Sequence, residues 1–376
     1  MADPTLQTFC CHHTNRTDRA IALMQEFNTD AYNTVCMLSA TMGMIGAIYQ
    51  ILPREDSNSS YRWRSFSRGR DIIVWLAVAD LLASLGPVYY RKLIMPISVF
   101  VRSALWRNFK SIMPMEGDMP NVVFCAFLSA WIQYFYMATW IWTLCYAVDM
   151  KLLLGDKNGR PTCYHTLAWV LPAVLTSFGL IILYIPDANC HSLTSLSSAI
   201  LRILPNYFAT YVLLAVVMIV NPILYVASTR DLETAVLHSM AQMTSRERRL
   251  IQTIRLKFAL INVVYYVCWT PNLINGVLLW TLWFQLPIKA IITLWYIMAV
   301  TNPLQAFFNA IVYQSWTRRE KLRFECCQDV KSSTNINLNT IVKIDSDVHI
   351  SESSPLLSSQ TKQKIPHISI NGSSSL

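Results

Sequence analysis

Apolar residues in this sequence gather into runs of about 20, the length a helix needs to cross a hydrocarbon layer of roughly 30 Å. Seven runs are readable, at Ala31–Leu52, Ile72–Tyr90, Val122–Val148, Tyr164–Ile185, Asn206–Ala227, Phe258–Trp283 and Ile288–Tyr313. Trp and Tyr cluster near their ends, where amphipathic rings favour the membrane interface. The pattern predicts an all-α membrane protein whose residues 31–313 form a seven-transmembrane helix bundle.

Seven spans place the termini on opposite sides, and the basic loops choose which is which. Arg54, Arg62, Arg64, Arg68 and Arg70 fill one loop, and Arg230, Arg246, Arg248, Arg249, Arg255 and Lys257 fill another. Putting these inside predicts an N-terminus that is outside or lumenal (residues 1–30) and a cytoplasmic C-terminus. The stretch Arg91–Pro120 then falls outside although it is basic, and its Trp and Phe among cations suggest a segment lying on the membrane. The polar first thirty residues show no signal-peptide core, so the first span is expected to insert as a reverse anchor. Asn15-Arg16-Thr17 is a glycosylation sequon on the outer side.

Beyond the last span, residues 314–327 read as an amphipathic juxtamembrane helix on the inner leaflet. It ends in Cys326-Cys327, either palmitoylation sites or two reduced thiols. Residues 328–376 are rich in Ser, Thr and Asn without apolar period, and are expected to be disordered.

Composition sharpens this picture. Of 376 residues, 53% are hydrophobic and 14% charged, against about 25% charged in soluble domains. The net charge of +9 sits in short loops, so it is an orientation signal and nucleic acid is excluded as a partner. Ten scattered cysteines lack metal spacing, so no metal and no cofactor are expected. None of the seven histidines pairs with a carboxylate at helical spacing inside a span, which argues against an enzyme.

Charge inside a span is expensive and therefore informative. Asp80, within Leu76–Leu82, is the one deep carboxylate and needs polar partners, a cation or a proton. Asn302 and Asn309 in the seventh span are candidates to face it. The alternative is a protonated side chain held for packing alone. Cys125 and Cys190 face one oxidising compartment, where a bridge would fold the second outer loop over the bundle as a lid. Pro172, Pro222, Pro271 and Pro303 each release a backbone carbonyl and kink a span.

These features resemble rhodopsin-like receptors: the Leu76–Leu82 run, Trp169, Pro222, Cys268-Trp269-Thr270-Pro271 and Asn302-Pro303 all match their patterns. Asp149 stands where such receptors open their Asp-Arg-Tyr motif, but Met150 and Lys151 follow it. Ala306 stands where a Tyr is expected after Pro303. A closer likeness is carried by Phe124-Cys125, Ser129–Gln133, Leu144–Asp149, Tyr164-His165, Ala168-Trp169, Asn221–Leu224, Asn272–Asn275, Asn302-Pro303 with Gln305, and Thr8–Cys11. In these runs the chain resembles the ocular albinism type 1 receptor family.

That resemblance implies a G-protein-coupled receptor of melanosome and lysosome membranes, with L-DOPA or tyrosine as small-molecule ligand and a heterotrimeric G protein as partner. Glu352–Leu357 fits an acidic dileucine signal, with Glu352, Leu356 and Leu357 offered to a sorting adaptor. The Ser/Thr-rich tail suggests phosphorylation and arrestin binding. A pocket of the receptor type would be lined by Gln133, Tyr136, Asn206, Tyr207, Trp269, Asn272, Asn275, Trp295 and Tyr296, which offer hydrogen bonds and rings but no charge. Ile132 occupies the position where amine receptors carry an Asp, and Tyr296 the position of the retinal lysine of opsins. Asp80, Asp149, Trp269, Pro271, Asn302, Pro303 and Asn309 are the candidate switch residues. Arg246, Arg248 and Arg249 are the candidate G-protein surface. A transporter or a structural organelle membrane protein is the alternative, although no internal repeat is evident.

Overall fold

The computed structural model describes residues 30–52, 64–84, 87–90, 93–96, 119–154, 159–184, 196–239, 245–281 and 287–338. Among them are seven helices: α1 (Asp30–Ile51), α2 (Arg64–Ser84), α3 (Met119–Leu154), α4 (Pro161–Tyr184), α5 (Leu196–Ser239), α6 (Ser245–Thr281) and α7 (Ile288–Leu338). The chain divides into two units, Met1–Glu320 and Lys321–Leu376. Every side-chain contact described below lies within the first.

Each apolar run falls on one helix, and most helices outrun their run. α5 and α6 extend well past the apolar stretch into the basic loop between them, and α7 continues to Leu338. The second run is the exception. α2 stops at Ser84, and Pro87–Tyr90 (β1) pairs antiparallel with Leu93–Pro96 (β2), Pro87 opposite Pro96 and Tyr90 opposite Leu93. The expected helix to Tyr90 fails because Pro87 lacks an N–H and disfavours helical geometry at Gly86 before it.

Four helical stretches are long and apolar enough to cross a membrane by length and composition: Asp30–Ile51, Pro161–Tyr184, Leu201–Asp231 and Ile288–Tyr313. Their outer faces are apolar at helical spacing. Val170, Val174, Phe178 and Ile181 are exposed on α4, and Phe208, Val212, Val216, Ile219 and Ile223 on α5. The inner faces carry the amides and acids, Gln133, Asn206, Asn272, Asn302, Asp80 and Asp149, all buried. This inversion of the soluble pattern identifies lipid as the solvent. α3 packs against α2, α4 and α5 and is buried on nearly every side from Leu128 to Met150. A helix enclosed by other helices need not be apolar, which is why Gln133, Thr139, Thr143 and Asp149 are tolerated there.

α1 meets α7 backbone to backbone. A Cβ on Gly43 would overlap the Pro303 carbonyl, and one on Gly46 would overlap the backbone of Phe307. Small residues at this spacing permit the close approach. Across the seam Ser39 Oγ donates to the Ala299 carbonyl at 2.6 Å and Gln50 Nε2 to the Ala306 carbonyl at 2.7 Å.

The Ala299 carbonyl is the one that Pro303, four residues on, leaves without a helical donor. The same logic recurs at the other three kinks. Pro222 releases the Met218 carbonyl, and the Tyr266 hydroxyl from α6 donates to it. For Pro172 and Pro271 the donor reaches the carbonyl three residues before the proline. Tyr134 of α3 bonds Trp169 O at 3.2 Å, and Thr301 of α7 bonds Cys268 O at 3.3 Å. Four of the five prolines inside the described helices thus have a neighbouring helix bonded beside them, two of them at the released carbonyl itself.

Ser39→Ala should lower stability by about 1–2 kcal/mol, since it leaves the Ala299 carbonyl unanswered. Gly46→Leu should cost at least about 2 kcal/mol through overlap, while Leu38→Ala on the exposed face stays within roughly 0.5. Thermal unfolding of the purified protein, followed by labelling of the buried thiols of Cys36, Cys145 and Cys268, measures this. Equal shifts for all three variants would refute the α1–α7 seam.

Candidate ligand site and transmission core

The outermost polar layer lies between α3, α4 and α5. Gln133 Nε2 donates to Asn206 Oδ1 at 2.6 Å and lies 2.9 Å from Thr210 Oγ1, while Asn206 Nδ2 returns a bond to Gln133 Oε1 at 3.3 Å. Thr210 Oγ1 donates back to the Asn206 carbonyl at 2.8 Å. Gly179 of α4 makes the space, because a Cβ there would overlap the Asn206 side chain. Reciprocal amide pairing satisfies groups that would otherwise be costly in a water-poor interior. One turn outward on α5, Arg202 is also buried.

Tyr207 faces the other way, its hydroxyl donating to the Gly276 carbonyl of α6. Its ring lies 4.4 Å from that of Tyr211, which fills the space beside Gly276. Glycine at 276 therefore serves close approach between α5 and α6.

A polar ladder joins α6 to α7. Trp269 Nε1 donates to Gln305 Oε1, Asn272 and Asn302 exchange bonds of 2.7 and 3.2 Å, and Trp295 Nε1 donates to Asn275 Oδ1 at 2.9 Å. Residues 269, 272 and 275 climb α6 one turn at a time while 305, 302 and 295 descend α7, the order expected of antiparallel neighbours. Trp269 is fully buried, with Tyr136 and Trp140 of α3 set edge-on to its ring at 5.1 and 4.9 Å. Tyr296 is half-buried and its ring packs edge-on to Tyr32 of α1 at 5.6 Å.

The nine residues expected to line a pocket therefore all lie on the four helices α3, α5, α6 and α7, and most are already hydrogen-bonded to a neighbouring helix. Gln305 and Thr210 complete the pairs, although sequence reasoning placed neither of them in this set. Their only prior signal was a polar or amphipathic residue within a span. A lateral cleft of about 430 Å³ between α6 and α7 holds Ile274, Lys289 and Ile297 and shares no residue with the expected set.

Deeper in the bundle, Asp80 is buried and its Oδ2 has no hydrogen-bond partner among the described residues; the same holds for Asn309 Oδ1, the Tyr136 hydroxyl and Trp140 Nε1. Asn302 pairs with Asn272. Toward the C-terminal end of α3, Asp149 is fully buried and accepts a bond from the Tyr164 hydroxyl at 3.2 Å. Tyr146 of α3 is hydrogen-bonded to Tyr313 of α7, whose ring lies 5.6 Å from the Lys257 ammonium.

Several expected sites fall outside the described residues: Asn15, Cys190, Glu352, Leu356 and Leu357. Cys125, Cys326 and Cys327 lie on helices, as do Arg246, Arg248 and Arg249, but their side chains are likewise outside the description.

Apolar outer faces, a polar interior and helices of membrane-crossing length define an integral membrane protein of the all-helical class. The family model for ocular albinism type 1 protein matches residues 1–372, and the chain belongs to that family. It is also 30% identical over 334 residues to the human protein named G-protein coupled receptor 143, covering 84% of this chain and 78% of that one.

Because Gln133 and Asn206 satisfy each other, their effects should not add. Gln133→Ala and Asn206→Ala should each cost about 1–3 kcal/mol, and the double variant less than the sum by about 1 kcal/mol. A double-mutant cycle on thermal stability measures the coupling, and strict additivity would dissolve the pair.

Proposed function

We propose that the chain is a G-protein-coupled receptor of intracellular membranes, with all seven helices spanning, the N-terminus lumenal and the C-terminus cytoplasmic. The observation that carries this reading is the interior polar layer on α3, α5, α6 and α7, set directly above kinks that are tied helix to helix. A ligand that replaces one amide pair alters the register between two kinked helices, and kinked halves move as rigid pieces. The kinship with the human receptor supports the same class. A ligand must break or borrow existing pairs, which suits a small molecule rich in donors and acceptors, such as L-DOPA or tyrosine.

Signalling would pass to a heterotrimeric G protein at the inner ends of α3, α5 and α6, where Arg246, Arg248 and Arg249 supply cations. Arrestin would read the phosphorylated tail, and a sorting adaptor Glu352, Leu356 and Leu357. Acylation of Cys326 and Cys327 would hold the juxtamembrane helix to lipid, Asn15 would carry glycan, and Cys125 would bridge to Cys190. Melanosome and lysosome membranes are the expected location, with a role in melanosome biogenesis.

Expression of the tagged chain beside a Leu356→Ala/Leu357→Ala variant tests this. The wild type should collect in lysosomes, the variant should reach the cell surface, and L-DOPA should raise G-protein activation by the exposed variant. An exposed variant that activates no G protein under any condition would sink the receptor reading. Reversing Arg246, Arg248 and Arg249 to Glu should abolish activation while leaving expression and thermal stability unchanged. Unaltered activation would remove these residues from the coupling surface.

A further inference from the structure

The inner end of α3 lacks the arginine of the rhodopsin-like pattern, and its two neighbouring positions are used differently. Met150 is buried, and its Cε lies so close to Gly69 of α2 that a Cβ there would sit 2.9 Å away. The side chain in the arginine position is therefore turned into the α2–α3 contact. Asp149 instead receives the Tyr164 hydroxyl from the first turn of α4. Gly159 passes at the same point, where an added Cβ would overlap both the Asp149 carboxylate and the Tyr164 hydroxyl.

The backbone next to this point is also fixed. The Arg160 carbonyl accepts the N–H groups of Cys163 and Tyr164 at 3.1 and 3.2 Å. Pro161 takes the first helical position, where its missing N–H costs nothing. The Arg160 side chain is exposed. One buried carboxylate thus holds the start of α4 and the residues just before it against α3, with a cation presented outward. A neutral amide could accept the same bond without the cost of burying a carboxylate. A charged acceptor makes the stronger bond.

We propose that Asp149 and Tyr164 form a latch that fixes Gly159–Arg160 against α3, and that it positions Arg160 for contact with the transducer in place of the absent α3 arginine. The latch stands on the geometry alone, whereas the role of Arg160 rests on the coupling reading. Asp149 and Tyr164 are positioning residues, since they act through Arg160.

The test uses the full chain in lipid nanodiscs. Tyr164→Phe keeps the ring and removes only the hydroxyl. It should raise hydrogen exchange at the Gly159–Tyr164 amides about tenfold, the size expected for losing a bond to a charged acceptor. Amides of Trp269–Asn275 should be unaffected. Gly159→Ala should produce the same local rise, and the double variant should add little to it. Both variants should lower nucleotide exchange on purified G protein at least threefold. Arg160→Gln should lower it equally while leaving hydrogen exchange as in the wild type. Unchanged exchange in Tyr164→Phe, or a rise spread through α6 and α7, overturns the latch. An open latch with full nucleotide exchange overturns its positioning role. A wild type that drives no nucleotide exchange overturns the coupling reading and the role of Arg160, and hydrogen exchange then still decides the latch.

Discussion

A carbonyl released by proline in a lipid-embedded helix has no water to turn to, so a neighbouring helix must answer it. Ser39 of α1 on α7 and Tyr266 of α6 on α5 meet that requirement directly, while Tyr134 of α3 on α4 and Thr301 of α7 on α6 take the carbonyl next to the released one. Trp131 of α3 adds α2 through the Leu82 carbonyl at 2.9 Å. The Gln133–Asn206 pair joins the α3 group to the α5–α6–α7 group. Every helix is thereby linked to the rest through a small number of directional bonds. Each net bond between membrane helices is worth only about 0.6 kcal/mol on average, so the links define geometry more than they supply stability. Bulk cohesion comes from the packed aromatic and aliphatic core around α3.

That division has a mechanical consequence. A hydroxyl that answers a kink carbonyl must follow the kinked half or let go of it. Thr301 illustrates this, because its hydroxyl is shared between the Cys268 carbonyl of α6 and Ile297 of its own helix. One side chain away, Asn302 exchanges amide bonds with Asn272. A displacement at the polar ladder therefore reaches the Pro271 and Pro303 kinks without any intervening wire. Amides and hydroxyls can trade partners at little net cost, which is the kind of exchange the proposed receptor function would use.

The seven helices and the prolines inside them were legible because both follow from local chemistry: an apolar run of helical length, and a ring that removes an N–H. The positions of Gln133, Asn206, Asn272 and Asn275 on one interior were also foreseeable, since polar residues in lipid must face inward. Their pairing was not. Whether Asn302 meets Asp80 or Asn272 depends on the rotation of α6 against α7, which tertiary packing sets and a single sequence does not encode locally. Ser39, Tyr266 and Thr301 were invisible for a similar reason, being three hydroxyls among many. Gly43 and Gly46 gave a weak sign of close approach, but nothing said which helix approaches. The end of α2 at Ser84 was readable from Gly86-Pro87, where local geometry outweighs the apolar run.

The two departures from the rhodopsin-like pattern are structurally connected. Ala306 replaces the expected Tyr, and it sits in a contact made with Ala47 of α1 and Ala77 of α2, its own carbonyl taken by Gln50. A tyrosine could not enter a junction of three alanines between helices already in backbone contact at Gly43 and Gly46. The aromatic hydroxyl of α7 is found instead at Tyr313, bonded to Tyr146 of α3 and beside Lys257 of α6. Tyr146 also sets its ring edge-on to Phe258 of α6, which meets Tyr225 of α5. With Asp149 engaged by α4 and Met150 by α2, residues 146–150 of α3 touch α2, α4, α6 and α7 without an arginine. Close α1–α7 packing leaves no room for a tyrosine at 306, and the contact between α3 and α7 is made at Tyr313. The inner end keeps its connections while changing the chemistry that makes them.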